Sequence, residues 1–157
     1  MTYTEITLSP SSLNYEDRRC DRCFGEALNG ESWPDRPFPG IFSKLDSYQR
    51  HYFTGRPTSD VDPSLPPGTL HNGTRVRSAS LAVDGIDFVI RGSMDALIHF
   101  DDGTVGIVDY KSSTPHPGLV DAYRPQLAAY RWAVSSPETS EPETVSAAGL
   151  FVFSPES

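Results

Sequence analysis

The sequence has little lysine, and its charge is unevenly spread. Only two lysines occur, Lys44 and Lys111, in a chain of 157 residues with 13 basic and 21 acidic side chains and a formal net charge of −8. This acidic balance argues against a surface coated in basic groups for nucleic acid. From Trp132 onward, however, the chain has no Lys or Arg while four glutamates fall there. Nucleic-acid binding by the rest of the chain is therefore disfavoured but not excluded.

Long apolar runs and a secretory leader are also missing. No stretch of about 18 apolar residues exists, which excludes a membrane-spanning helix. The start, MTYTEITLSP, has neither a basic region nor an apolar segment after it, so we expect no signal peptide and a cytoplasmic protein. Aromatic residues make up 11% of the chain, enough to form a core and to argue against wholesale disorder. The length fits a single domain, residues 1–157, and the end directly after an apolar strand is consistent with truncation at the C-terminus.

Proline and glycine are abundant in the first half, with 14 and 12 in the whole chain. They predict irregular connections over residues 25–40 and 54–73. Residues 9–24 open with Ser and Pro, which are typical of a helix start. In residues 41–53 apolar side chains recur every three or four positions, which predicts an amphipathic helix with its aromatic residues in the core.

The second half alternates between apolar and polar residues and predicts strands. Asp84-Gly85 favours a two-residue hairpin turn, and a second turn falls at residues 101–103. A helix is predicted from about Tyr123 to Ser135, followed by a last strand, VSAAGLFVFS. This order predicts an α+β fold in which a small mixed sheet of hairpin strands is flanked by helices.

Three short motifs on neighbouring elements carry the chemistry. They are Gly92-x-x-Asp95, Asp109-Tyr110-Lys111 and Gln126-x-x-x-Tyr130. Because residues i and i+2 of a strand point the same way, Asp109 and Lys111 share a face. Asp95, at the start of the preceding strand, can approach the same end of the sheet. Two carboxylates and a backbone carbonyl would form a hard oxygen site that suits Mg²⁺ or Mn²⁺ rather than zinc.

The lysine beside such a site could orient or deprotonate a water molecule and stabilise charge on a phosphate. Gln126 and Tyr130, one helical turn apart, could brace the site. The simpler interpretation makes Asp109 and Lys111 a surface ion pair. The strand context and the two flanking motifs favour the functional interpretation.

The segment GSMDALIHFDDGTVGIVDYKSS, followed by YRPQLAAY, resembles the core of the PD-(D/E)XK nuclease superfamily, with its restriction-endonuclease-like fold. It is most similar to the RecB-like exonucleases and the related CRISPR-adaptation exonucleases, over residues 9–24 and 74–153. The resemblance implies that Asp95 and Asp109 bind Mg²⁺ or Mn²⁺ and that Lys111 is the catalytic lysine. It also implies that the Tyr110 carbonyl completes the ligand set and that Gln126 and Tyr130 support the site.

The chain departs from that family pattern at two places. Many members add a metal ligand from the first core helix, for which His51 is the candidate, but its surroundings, YQRHYF, lack the usual preceding glycine. Iron–sulfur members hold their cluster with four cysteines, whereas this chain has only Cys20 and Cys23 and cannot hold that cluster alone. The C-x-x-C spacing also fits a shared metal site, a redox pair or two ordinary reduced cysteines.

The expected function is therefore a metal-dependent DNA nuclease, an exonuclease rather than an endonuclease. Its expected substrate is DNA, with single strands or ends favoured, in repair, recombination, phage or CRISPR contexts. The main alternative is a non-catalytic module that keeps a nuclease fold to bind nucleic acid or a protein partner, or a fragment that works only inside a larger complex or oligomer. A third is a cysteine-based metal or redox domain.

Overall fold

The computed structural model describes residues 5–18, 21–29 and 40–154. Within these ranges the chain forms two four-stranded sheets, three α-helices and two 3-10 helices, so the expected α+β class is confirmed. The strands are β1 (Glu5–Leu8), β2 (Gly68–Asn72), β3 (Arg75–Arg77), β4 (Leu81–Val83), β5 (Ile86–Ser93), β6 (Ala96–Phe100), β7 (Val105–Ser112) and β8 (Val145–Phe153). The helices are α1 (Asp21–Leu28), α2 (Gly40–Phe53) and α3 (Leu119–Ser135), with 3-10 helices at Pro10–Arg18 and Thr58–Asp60.

The smaller sheet is built around β5. β1 pairs with it in parallel, and β3 and β4 pair with it antiparallel. Asp84 and Gly85 connect β4 to β5 with φ values of 50° and 81°. Positive φ at both central residues is what a type I′ hairpin turn requires, so the predicted turn is confirmed.

The second sheet has the strand order β2-β6-β7-β8 and carries the candidate site. β6 and β7 form the antiparallel hairpin that the turn at residues 101–103 predicts. β8 lies parallel to β7, and α3 forms the crossover between them. The sheet is therefore mixed, as expected.

Helices cover both faces of this second sheet. On one face Leu97 and Ile107 pack against Leu127 and Val134 of α3. The alternate residues of these strands point to the other face of the sheet. They include Tyr110 and form a second cluster that packs against Phe53 of α2. Because both faces of β7 are buried, its sequence is a nearly continuous apolar run.

Several boundaries differ from the sequence predictions. Residues 9–24 do not form one helix: a 3-10 helix ends at Arg18 and α1 begins at Asp21. β2 falls inside residues 54–73, which were predicted as loop, because GTLHN has a single apolar residue. That residue, Leu70, is fully buried.

The start of α3 and the exposed side of α2 were also predicted wrongly. α3 begins at Leu119 rather than Tyr123, so Pro125 lies in its second turn and cannot donate to the carbonyl of Asp121. On α2 four apolar side chains lie in one exposed stripe instead of the core: Ile41, Leu45, Tyr48 and Tyr52. Phe53 provides the core contact of this helix instead.

No helix in the described ranges is both long and apolar enough to cross a membrane.

Gly92 lies at a close approach between three elements. A Cβ atom at this position would lie 2.8 Å from Cδ of Pro10 and 3.3 Å from Cε1 of Tyr130. Because the Pro10 ring is fully buried and cannot turn away, we expect Gly92→Ala to lower the free energy of unfolding by about 1–3 kcal/mol. Urea denaturation measures this. The matched control is Gly149→Ala in β8, where a Cβ atom meets nothing within 4 Å. An equal loss in both variants would contradict the packing argument.

Candidate functional site

Two carboxyl groups meet at the end of the β6–β7 hairpin. The register pairs Ala96 with Val108, and one further step places Asp95 opposite Asp109 on the same face of the sheet. Besides burial, the nearby charge of Asp95 raises the pKa of Asp109. The hairpin thus brings together two residues that are separated along the chain.

Asp109 is buried between a lysine and an amide. Its Oδ1 accepts a hydrogen bond from Nε2 of Gln126 at 2.6 Å, and its Oδ2 lies 2.5 Å from Nζ of Lys111. Burial raises the pKa of Asp109 from 3.8 to about 6, and Asp95 adds to the rise while Lys111 opposes it. Burial therefore makes the ionised form of this carboxyl group less favourable than in water, and a further cation nearby would favour ionisation.

Lys111 is held on two sides. Besides the contact with Asp109, its Nζ lies 4.6 Å from the ring centroid of Tyr123 in α3, a cation–π distance. Tyr123 lies one turn before Gln126 and so faces the same sheet, but none of the three sequence motifs includes it.

Asp95 is held by Tyr110 and by an arginine that the sequence analysis missed. The backbone N–H of Tyr110 donates to Oδ2 of Asp95 at 2.8 Å, and Nη2 of Arg50 lies 2.5 Å from Oδ1. Nε of Arg50 also donates to Asp46 at 2.9 Å. Both Asp95 oxygens therefore have partners, and α2 contributes a cation to the site.

His51 is not brought to the carboxylates. His51 follows Arg50 on α2 and is exposed, because successive helix residues are about 100° apart around the axis. The rotation of α2 about its axis that directs Phe53 toward the core also directs Arg50 toward the site and His51 toward solvent. Cys20 lies outside the described residues, and Cys23 is half-buried in α1.

Gln126 and Tyr130 lie behind the carboxylates, as their helical spacing predicts. The Tyr130 hydroxyl donates to the carbonyl of Ser93 at 2.6 Å and so fixes the chain just before Asp95. Burial, followed by the charges of Asp109 and Asp95, raises the pKa of Tyr130 to about 12, so it remains a donor.

Asn14 completes this support from the N-terminal 3-10 helix. Its Nδ2 donates to Oε1 of Gln126 at 2.5 Å, and its Oδ1 accepts from the Gln126 backbone N–H at 3.1 Å. This pair of bonds orients the Gln126 amide so that Nε2 faces Asp109. Asn14 and Gln126 are 112 positions apart in the sequence, so no local pattern predicts their contact.

The site opens into a cleft of about 470 Å³ between α2 and the end of β7. Asp95 and Lys111 line this cleft, whereas a larger hollow of about 560 Å³ beside β3 is lined by neither, so the smaller cleft is the relevant one. The smaller cleft is lined by Ser43, Asp46, Gln49, Arg50, Asp95, Tyr110, Lys111 and Ser112.

The donor set fits a hard divalent cation. Among the described residues, the buried side-chain polar atoms without a hydrogen bond are Oδ2 of Asp109 and Nε2 of Gln49, both at this site. Oδ2 of Asp109 nevertheless lies 2.5 Å from Nζ of Lys111 and so has an ion-pair partner. No group of three or more His, Cys, Asp or Glu side chains is gathered in the described ranges. Mg²⁺ commonly binds through one or two carboxylates and several waters, which is the set that Asp95 and Asp109 offer.

The raised pKa of Asp109 predicts a pH-dependent stability. Because the folded pKa of about 6 exceeds the unfolded value of 3.8, the folded state keeps a proton that the unfolded chain has released over this range. The contribution of Asp109 to stability is therefore lost as the pH rises from about 4 to about 7. In EDTA, we expect the melting temperature of Asp109→Asn to increase relative to that of wild type as the pH rises over this interval. A difference independent of pH would contradict the burial argument.

Removal of the Asn14 side chain is expected to destabilise the protein. Asn14→Ala leaves two Gln126 groups without their partner inside the protein, at about 1–3 kcal/mol for each unsatisfied group. Thermal and urea unfolding measure the loss. The control is Ser11→Ala in the same 3-10 helix, whose exposed hydroxyl bonds only to Ser9 among the described residues. If both variants unfold alike, Asn14 does not hold Gln126.

Comparisons with known proteins identify a family and a similar solved structure. A family model described as the PD-(D/E)XK nuclease superfamily matches residues 3–157. The solved crystal structure of SSO0001 is similar, with a TM-score of 0.57 and 19% sequence identity. The match covers 100% of this chain and 66% of that one, so the chain spans slightly less than two thirds of its neighbour. The search of curated proteins gave no match. The chain belongs to the PD-(D/E)XK nuclease superfamily.

Proposed function

We propose that this chain is a divalent-metal-dependent nuclease that hydrolyses phosphodiester bonds in DNA. The observation that carries the proposal is the position of Asp95 opposite Asp109 on the β6–β7 hairpin, with Lys111 beside Asp109 and with Asp95 and Lys111 lining an open cleft. Members of this superfamily typically use divalent metal ions, and Mg²⁺ and Mn²⁺ suit the oxygen donors present.

Asp95, Asp109 and the Tyr110 carbonyl would hold the metal. When bound, such an ion activates water and stabilises negative charge on the phosphate. The adjacent carboxylates support this assignment, because a divalent ion between them would offset negative charge that Lys111 and Arg50 balance in its absence. It also requires Asp109 to be ionised, and a metal ion at its oxygens favours that form.

Lys111 would act on the phosphate and the attacking water. Asp109 and Tyr123 fix its ammonium group at the cleft, where it can donate to a phosphate oxygen and orient the water. Gln49 lines the same cleft, and its buried Nε2 has no hydrogen-bond partner among the described residues.

The preference for DNA ends is the finer part of the proposal. The similarity of residues 92–113 and 123–130 to RecB-like exonucleases supports an exonuclease that acts on single strands or ends. The acidic net charge of −8 supports a substrate contact confined to the cleft rather than spread over the surface.

A second candidate function is a binding module without catalysis. Arg50 and the Tyr110 amide already satisfy both oxygens of Asp95, which a catalytic centre needs for its metal. Such a module would bind nucleic acid or a protein partner through the same fold.

Cleavage assays separate the two candidates. End-labelled DNA is incubated with wild type in Mn²⁺, Mg²⁺ or EDTA. We expect metal-dependent cleavage that Lys111→Ala reduces by about 10²–10⁴-fold, the usual contribution of a positioned proton-transfer group. Lys44→Ala, which removes the other lysine from an exposed position on α2, is the matched control and should cleave as wild type does. Cleavage that survives in EDTA or in Lys111→Ala contradicts the site. Folded wild type that is inert with both metals favours the binding module.

Circular substrates test the preference for ends. Because an exonuclease needs a terminus, we expect linear single-stranded DNA to be degraded and circular single-stranded DNA of the same sequence to persist. Cleavage of the circle at a comparable rate would make the protein an endonuclease.

A further inference from the structure

We propose that Arg50 occupies the cation position at Asp95 in the metal-free protein and competes with the divalent ion for that carboxylate. The proposal rests on the proposed function, because it concerns how the same site takes up its metal. It assigns to α2 a residue that opposes metal binding, where the first core helix was expected to supply a metal ligand.

The contacts of Arg50 are those of a cation held in place. Its Nη2 lies 2.5 Å from Oδ1 of Asp95, and its Nη1 donates to the carbonyls of Met94 and Asp95 at 3.1 Å each. The guanidinium thus surrounds Asp95 on its carboxylate and backbone sides. Charge-assisted bonds of this kind are stronger than neutral ones.

Both oxygens of Asp95 have a partner while Arg50 remains. Oδ2 accepts the backbone N–H of Tyr110, which the sheet fixes, so Oδ1 is the atom that can change its partner. A guanidinium and a divalent ion on the same carboxylate, about 4 Å apart, would repel each other strongly in a partly buried site. Metal binding at Oδ1 therefore requires Arg50 to leave.

The structure provides a place for Arg50 to go. Its Nε is already bonded to Asp46, one turn earlier on α2, and the Asp46 side chain is 46% exposed. The Arg50 side chain itself is 29% exposed, so a rotation toward solvent does not cross the core. Arg50 can release Asp95 and keep its ion pair with Asp46.

The experiment measures metal affinity without cleavage. Mn²⁺ is titrated into protein free of DNA, and the free ion is followed by electron paramagnetic resonance. We expect Arg50→Gln to bind Mn²⁺ about tenfold more tightly than wild type, a difference of about 1.4 kcal/mol, because the competing charge is gone. Without metal it should melt at a lower temperature than wild type, and Mn²⁺ should raise its melting temperature more.

Two controls fix the interpretation. Arg56 follows the end of α2 and pairs with Asp60 outside the cleft. The variant Arg56→Gln should therefore bind Mn²⁺ as wild type does. Asp95→Asn should abolish binding in both the wild-type and the Arg50→Gln background. Arg50→Lys keeps the charge but loses the forked contacts, so its affinity should lie between wild type and Arg50→Gln; it replaces Arg50→Gln if that variant does not fold.

The outcomes separate this inference from the proposed function. If wild type binds Mn²⁺ and Arg50→Gln binds it equally or more weakly, the competition is overturned while the metal site stands. If no variant binds Mn²⁺, the metal-dependent function fails and the inference fails with it.

Discussion

The register of one β-hairpin places two carboxyl groups close together. Their like charges repel each other, and contacts with neighbouring residues compensate for this repulsion. Asp95 comes directly before the first residue of β6 and lies opposite Asp109 of β7. The surroundings are partly buried, so like charges repel each other more strongly there than in water. Each has its own counter-charge, Arg50 from α2 for Asp95 and Lys111 from β7 for Asp109. A divalent ion would replace part of this compensation, which is why the site suits one.

The support behind the carboxylates explains the wider motif. Gly92 lacks a side chain because Pro10 and Tyr130 fill the space where a Cβ atom would lie. Tyr130 in turn holds the carbonyl of Ser93, and so the chain reaches Asp95 in a fixed direction. Through Asn14 and Pro10, the N-terminal 3-10 helix is part of the site although it is remote in sequence.

The sequence predicted those features of the fold and of the site that depend on local geometry. The turn at Asp84-Gly85 needs positive φ at both residues, and the common face of Asp109 and Lys111 follows from the period of a strand. Long-range contacts were not predictable in this way. Arg50 resembles any surface arginine of a helix, and only the packing of Phe53 turns it toward Asp95 while His51 faces solvent. β2 was missed for a similar reason, since its pairing with β6 rather than its composition makes it a strand.

The account depends on Asp95 and Asp109 sharing one divalent ion. Anomalous diffraction from crystals soaked in Mn²⁺ tests this most directly, because it locates the ion independently of any activity. The account predicts one peak within about 2.0–2.6 Å of a carboxylate oxygen of each residue, with the Arg50 guanidinium turned away from Asp95. A peak at another site, or none at these carboxylates, would contradict it.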